Sequence, residues 1–242
     1  MLFDLYWEGA ADFEFTPLFR ELALQGSVFF DVGSNLGFYS FLAHAVNPRM
    51  EIHAFEPSNG PHYYLSRNQQ HNDEQTAKVS VHKLALSSMT GAIQFFEEIN
   101  PKYPYLTHHL SGIGNTGNST SMRKSRTYDV PTETLDGFVQ RLNLTSVDLI
   151  KMDTEGTEHL ILSKGYEMMQ KFRPIFIIEV IDDEAGNALE KHILANDYLT
   201  FQYTDKGLVA LEHIRAGTTE KDRNFFFVHP TKLSKLLPFM AK

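Results

Sequence analysis

Three apolar residues, Val28-Phe29-Phe30, run directly into Asp31-Val32-Gly33-Ser34-Asn35-Leu36-Gly37, and from there into an apolar-periodic stretch, Phe38 to Val46. Buried strand, small-residue turn and helix in that order constrain the fold more than any other feature. Small residues let a ligand approach the backbone, and the free N–H groups of the first helical turn point at it. Such a unit opens a doubly wound α/β domain. The 242 residues, 42% hydrophobic and 21% charged, suffice for one such domain with a large core.

The remaining chain keeps the β-α rhythm. Residues 1–12 read as an arm. Thr16-Pro17 reads as N-cap and first helical residue of a helix ending at Gln25-Gly26, so 1–26 form an N-terminal arm and helix. Glu51 to Pro57 is a strand stopped by proline, Gly60-Pro61 opens a helix, and Val79 to Leu86 alternates as a third strand. Gly91 to Phe96 is a short strand with which Tyr128-Asp129-Val130 pairs back. Between them, residues 99–126 are polar and Gly-rich, either an inserted lid over a substrate or a surface excursion. Thr134 caps a helix to Leu142. Val147–Asp153 and Ile175–Val180 are the fourth and fifth parallel strands, with a helix from Thr157 to Met169 between them. Ala185 to Asn196 is helical. Tyr198–Tyr203 turns at Asp205-Lys206-Gly207 toward Leu208–Leu211, and Asn224–Val228 is the last strand. Alternation of this kind favours a mostly parallel sheet with helices on both faces.

Composition narrows the partners. Net charge is −8 and no Lys/Arg-rich run exists, which argues against nucleic acid. The absence of cysteine excludes disulfides, thiolate metal sites and Cys nucleophiles, and is compatible with a cytoplasmic protein. Met1 to Glu8 lacks the basic-then-apolar order of a signal peptide, and no apolar run reaches transmembrane length.

In a doubly wound sheet the ligand lies outside the carboxyl ends of the strands. Five stretches fall there: Asp31 to Gly37, Glu56-Pro57, Ala85 to Ser88, Asp153 to Glu155 and Glu179 to Asp183. Glu56, ending the second strand, suits both hydroxyls of a ribose; a capping acid is the alternative. The turn departs from a dinucleotide Gly-x-Gly-x-x-Gly. Asn35 holds the middle position, where Asn tolerates positive φ, and Ser40 stands in place of a third glycine. That weakens a pyrophosphate reading, and with it an NAD-dependent dehydrogenase. It favours a phosphate-free ligand whose amino-acid-like end is held by backbone N–H groups and Asp31.

Asp31-Val-Gly-Ser-Asn-Leu-Gly-Phe-Tyr-Ser40, Ala54-Phe-Glu-Pro57, Thr134-Leu-Asp136, Lys151-Met-Asp-Thr-Glu-Gly-Thr-Glu158 and Arg173-Pro-Ile-Phe-Ile-Ile-Glu179 together resemble the FkbM family of S-adenosylmethionine-dependent methyltransferases. Their order covers roughly residues 13 to 229. The resemblance implies a class I methyltransferase fold, a Rossmann-like seven-stranded sheet with an antiparallel last strand, formed by 1–242 as a single domain. It implies O-methylation of a hydroxyl on a sugar, glycan or natural product. By the same resemblance Asp31, Gly33, Ser34, Asn35 and Gly37 surround the methionine part of S-adenosyl-L-methionine. Glu56 and Pro57 take the ribose side, Ala85 and its neighbours flank the adenine, and Asp153 lies near the methyl or amino group.

Methyl transfer from a sulfonium needs in-line placement and a base for the hydroxyl proton. Glu155 is the first candidate, with Asp153 and Glu179 as further catalytic acids; Glu155 also reads as an acid at a helix N-terminus. Glu158 reads as a first-turn helix acid. His108 and His109 are alternative bases if 99–126 closes as a lid. No residue is assigned as a metal ligand, although Asp153 with Glu179, Asp182 or Asp183 offers hard oxygens to a divalent metal such as magnesium. Lys151, inside a strand covered on both faces, needs a carboxylate partner on a neighbouring strand, Asp31 or Glu179. A cofactor-binding or docking protein without turnover is the rival from another class. The acceptor and the oligomeric state have no signature in the sequence.

Overall fold

The computed structural model describes residues 9, 13–71, 78–98, 125–216 and 220–241. The expected arm (Gly9 apart) lies outside the described residues. So do 99–124 of the expected lid, with His108 and His109.

In chain order the elements are α1 (Thr16–Leu24), β1 (Val28–Val32), α2 (Phe38–Val46), β2 (Glu51–Phe55), α3 (Asn59–His71), β3 (Val79–His82), β4 (Ala85–Leu86), β5 (Gly91–Glu98) and β6 (Ser125–Glu133). There follow α4 (Leu135–Arg141), β7 (Leu149–Met152), α5 (Glu158–Leu162), α6 (Tyr166–Phe172), β8 (Ile175–Glu179), α7 (Asp183–Leu194), β9 (Leu199–Thr204), β10 (Gly207–Leu211) and β11 (Asn224–Val228).

The large sheet runs β10-β9-β11-β8-β7-β1-β2-β3. β3, β2, β1, β7 and β8 are mutually parallel, and β11 is antiparallel to both neighbours. The doubly wound α/β architecture is thus the expected one, with β10 adding an eighth, edge strand by hairpin to β9. The chain winds outward from β1 through β2 to β3, then returns to lay β7 on the other side of β1. Strand order therefore reverses between β1 and β7, where Asp31 faces Lys151 in the ladder.

Every residue of β1 is buried, as a central parallel strand requires. Val28, Phe30 and Val32 pack on one side with Phe55, Phe138, Met152 and Phe225. Phe29 packs on the other with Phe19, Tyr39, Leu149, Ile177 and Phe226. Strand alternation puts Asp31, Lys151 and Glu179 on this second side, beneath α1 and α2.

Four local expectations are corrected. β1 continues through Asp31 and Val32 instead of turning at Asp31, because Lys151 lies opposite to offset the buried charge. Thr16 is inside α1 and buried, while Phe15 holds the cap position without a side-chain cap bond. The expected third strand is split: β4 leaves the large sheet and pairs with Thr132 and Glu133 of β6, beside the β5–β6 hairpin. The helix expected over Thr157–Met169 is two, α5 and α6. A Cβ on Gly165 would lie 2.8 Å from Leu135, and the N-terminus of α6 is capped by Asp136, whose carboxylate accepts from Glu167 and Met168 N–H.

On the first side, His53 Nδ1 lies 3.1 Å from His82 Nε2, and His53 Nε2 lies 3.0 Å from Glu51. Phe138 packs edge-on against both rings. Burial, and then the neighbouring His53, lower His82 from its ordinary 6.5 to about 4; burial lowers His53 as well. Between those values the unfolded chain binds a proton that the folded chain refuses. Stability from this pair is therefore complete above pH 6.5 and falls as pH drops toward 4, by about 1–3 kcal/mol. Urea midpoints at pH 7.5 and pH 5 should show this loss, and His82→Leu should reduce it. A variant with the wild-type pH slope would contradict the assignment.

Candidate functional site

The turn after β1 is held by β2. Gly33 and Ser34 N–H both donate to the Phe55 carbonyl at 3.0 Å, and Asn35 N–H donates to Glu56 Oε2 at 2.9 Å. Glu56 Oε1 accepts from Ser58 N–H at 2.8 Å and from the Ser58 hydroxyl. Burial raises the Glu56 pKa, against the hydrogen bonds from Ser58 and Asn35. Glu56 therefore fastens the turn.

Gly33, Asn35 and Gly37 all have positive φ, +76, +52 and +87°. At Gly33 the requirement for glycine is absolute: a Cβ would sit 1.9 Å from the Asp153 carbonyl oxygen. The β1 turn thus presses directly on the end of β7, and cradle and acids share one place.

Asp31 is 1% exposed. Its Oδ2 accepts from Ser40 Oγ at 2.6 Å, while its Oδ1 is buried and has no hydrogen-bond partner among the described residues. Ser40, conspicuous in the sequence only as a missing glycine, supplies the hydroxyl that ties Asp31 to α2. Burial raises the Asp31 pKa, opposed by Lys151 and Ser40.

Lys151 is 5% exposed. Its Nζ lies 3.2 Å from Asp153 Oδ2 and 5.2 Å from the centroid of the Tyr39 ring. Its hydrogen bond is thus to Asp153 on its own chain segment, not across the ladder; Asp31 acts on it through charge. Burial pulls the ammonium's pKa down, but Asp153, Asp31 and Glu14 together drive it above its ordinary value.

Asp153 and Glu179 form a pair with opposite behaviour. Burial raises Asp153, yet Lys151 and a hydrogen bond from Glu179 outweigh it, and its pKa is lowered. Burial and the Asp153 charge push Glu179 up to about 9. Glu179 thus favours its protonated form and donates a hydrogen bond to the ionised Asp153. Glu155 is exposed, with φ of +56° ahead of Gly156 at +94°. Burial, Asp153 and Glu158 raise its pKa. Glu158 is the first residue of α5 and reaches back to Thr154 N–H and Oγ1 at 2.8 and 2.9 Å.

No sequence pattern brings Glu14 and Tyr39 together at this site. Tyr39 OH donates to Glu14 Oε2 at 2.7 Å, and Glu14 itself has φ of +45°. Phe15 stacks on Tyr39 and Phe13 meets Phe38 edge-on, fixing this turn against α2. Phe13-Glu14-Phe15, an acid between two aromatics, is the one signal the sequence offered.

Ala85 lies in β4, away from this cluster in the ladder. Asp182 and Asp183 are engaged at α7, accepting from Ala185 N–H at 2.8 Å and Ala216 N–H at 3.0 Å. Among the described residues no group of three or more His, Asp or Glu is arranged to hold a metal, and no helix is long and apolar enough to cross a membrane.

The residues fit the methionine end of S-adenosylmethionine on one count: Asp31 Oδ1, buried and without a hydrogen-bond partner among the described residues, matches an ammonium.

A sheet in this order with a glycine cradle at the switch point defines a Rossmann-like methyltransferase fold. Residues 31–205 match the methyltransferase FkbM domain, and the chain belongs to that family. A solved methyltransferase FkbM from Methylobacillus flagellatus superposes with a TM-score of 0.51 at 14% identity, over 84% of this chain and 43% of that one. This chain therefore spans less than half of that protein. Precorrin-6y C5,15-methyltransferase from Geobacter metallireducens gives a TM-score of 0.44 at 11% identity, over 88% and 85% of the two chains. No curated protein matches the sequence significantly.

Proposed function

We propose that this protein transfers a methyl group from S-adenosylmethionine to a hydroxyl oxygen of a sugar, glycan or other small molecule. The observation that carries the reading is the hydrogen-bonded pair of acids at the strand ends, Asp153 and Glu179, beside the turn whose Gly33 lies against the Asp153 carbonyl.

Asp31 and the Gly33–Gly37 turn would hold the methionine end of the donor, and Glu56 with Pro57 the ribose. When bound, the donor supplies an electrophilic methyl on a sulfonium. Lys151 keeps Asp153 ionised, so a carboxylate is available to orient an acceptor hydroxyl and draw its proton as the oxygen attacks. Glu179, already protonated, screens the charge of Asp153 and stops the pair from repelling. Glu155 is a second proton acceptor on the same turn. A divalent metal beside Asp153 is an added element for the assay to test.

Calorimetric titration with S-adenosylmethionine should show saturable binding. Incubation with a panel of sugars and glycans should release S-adenosylhomocysteine. Asp153→Asn should cut turnover about 10²–10⁴-fold with a smaller change in donor affinity. Donor binding without turnover on any hydroxyl substrate would leave a docking protein. Tight NAD binding with no donor binding would overturn the reading altogether. Turnover restored only by magnesium would add the metal.

A further inference from the structure

We propose that the groove along α3 binds a small phosphorylated ligand, a phosphate ester carried on a body the size of a sugar. The groove encloses about 550 Å3 between one face of α3, Lys83 just beyond β3, and Arg126 of β6. Small-molecule sites occupy roughly 300–1,000 Å3, so the space suits an anion with a body attached.

Three cations, Arg67, Lys83 and Arg126, line the groove, and among the described residues no acidic residue does. In a chain with 30 acidic and 22 basic residues this is a local reversal of charge. Arg126 is braced from behind by the buried Glu97 at 2.6 Å, which also accepts from the N–H of Gly60 at 3.2 Å. Among the described residues Arg67 and Lys83 have no carboxylate at ion-pair distance. Lys83 Nζ donates instead to Asn59 Oδ1 at 2.6 Å, and Arg67 to the Tyr63 hydroxyl at 3.4 Å.

With its carbonyl engaged by Lys83, Asn59 retains its NH2 as a donor, and Ser66 adds a hydroxyl. An array of donors with two uncompensated cations selects an anion. Arginine and lysine together match phosphate oxygens, by fork geometry and by point charge. The Arg67 guanidinium lies over the Tyr63 ring, 5.7 Å from its centroid. The groove shares no residue with the Asp31–Lys151–Asp153–Glu179 cluster.

The test titrates the full chain with glucose 6-phosphate, glucose and inorganic phosphate at fixed ionic strength, with and without S-adenosylhomocysteine. Glucose 6-phosphate should bind saturably, about tenfold or more tighter than either control. Arg67→Ala and Lys83→Ala should each weaken it roughly tenfold or more, as expected for losing one charge-assisted hydrogen bond. Their unfolding midpoints and donor affinity should stay at wild-type values. Inorganic phosphate binding equally well would reduce the groove to an adventitious anion site. Unchanged affinity in both variants, competition by S-adenosylhomocysteine, or no saturable binding would each overturn the proposal. Donor affinity is read in the same samples, so a failure of the methyltransferase reading is seen separately.

Discussion

Lys151→Met is expected to cost about 3–5 kcal/mol of stability, the range for removing one partner of a buried ion pair. Methionine fills similar space, so the loss is electrostatic rather than a cavity. Asp153, Asp31 and Glu14 all act on this ammonium, and Asp31 stands directly opposite it in the ladder. Without it these acids are buried against one another, and the folded state relieves the repulsion by binding protons. The variant then holds more protons folded than unfolded, so its stability must fall as pH rises. Urea unfolding at pH 5 and pH 8 should show the larger deficit at pH 8. Adding Asp153→Asn should recover part of it. A loss below about 1 kcal/mol, or a double variant no better than the single, would show that the ammonium does not hold the cluster.

What was legible in the sequence was local. Apolar runs and small residues placed β1, its turn and α2, and the limits of α2 at Phe38 and Val46 need no correction. Thr134 was read as a cap and does cap, accepting from Gly137 N–H at 3.1 Å. The errors share one cause, which is dependence on residues far away in the chain. Asp31 looked like the end of a strand because a charge in a buried parallel strand is costly; only the register with β7, some 120 positions later, removes that cost. Gly165 carried no hint that Asp136 would cap α6 across the gap. The site shows the same division. The acids at the strand ends were visible as a pattern, because sheet topology sends every strand end to one edge. Their proton distribution was not, because it follows from which carboxylate lies nearest Lys151. Glu14 enters from a segment with no periodicity, and nothing short of the packing of Phe13 and Phe15 could place it.

Gly33→Ala should be the most damaging single substitution in the cradle, with a stability loss of about 4 kcal/mol or more and donor affinity reduced by about 100-fold or beyond. Two costs add. A left-handed backbone, here φ of +76°, penalises any Cβ by about 1–2 kcal/mol. The new methyl would also stand 1.9 Å from the Asp153 carbonyl oxygen and 2.9 Å from its carbon. Those atoms are backbone at the end of a central strand and cannot swing away, so relief requires parting the β1 turn from β7. That parting moves the acids relative to the turn and destroys the geometry on which donor binding depends. Gly37→Ala is the comparison. Its φ of +87° brings the same backbone penalty, but its Cβ would meet the Leu65 Cδ1 tip at 2.5 Å and the Phe41 ring at 2.6 Å, side chains that can shift. Gly37→Ala should therefore remain folded and lose less affinity. Asn35→Gly should be close to neutral, since it keeps the N–H that Glu56 accepts and eases a strained φ. Melting temperatures and donor titrations on the three variants give the order. If Gly33→Ala binds the donor as well as Gly37→Ala does, the contact between the turn and Asp153 is not what builds the site.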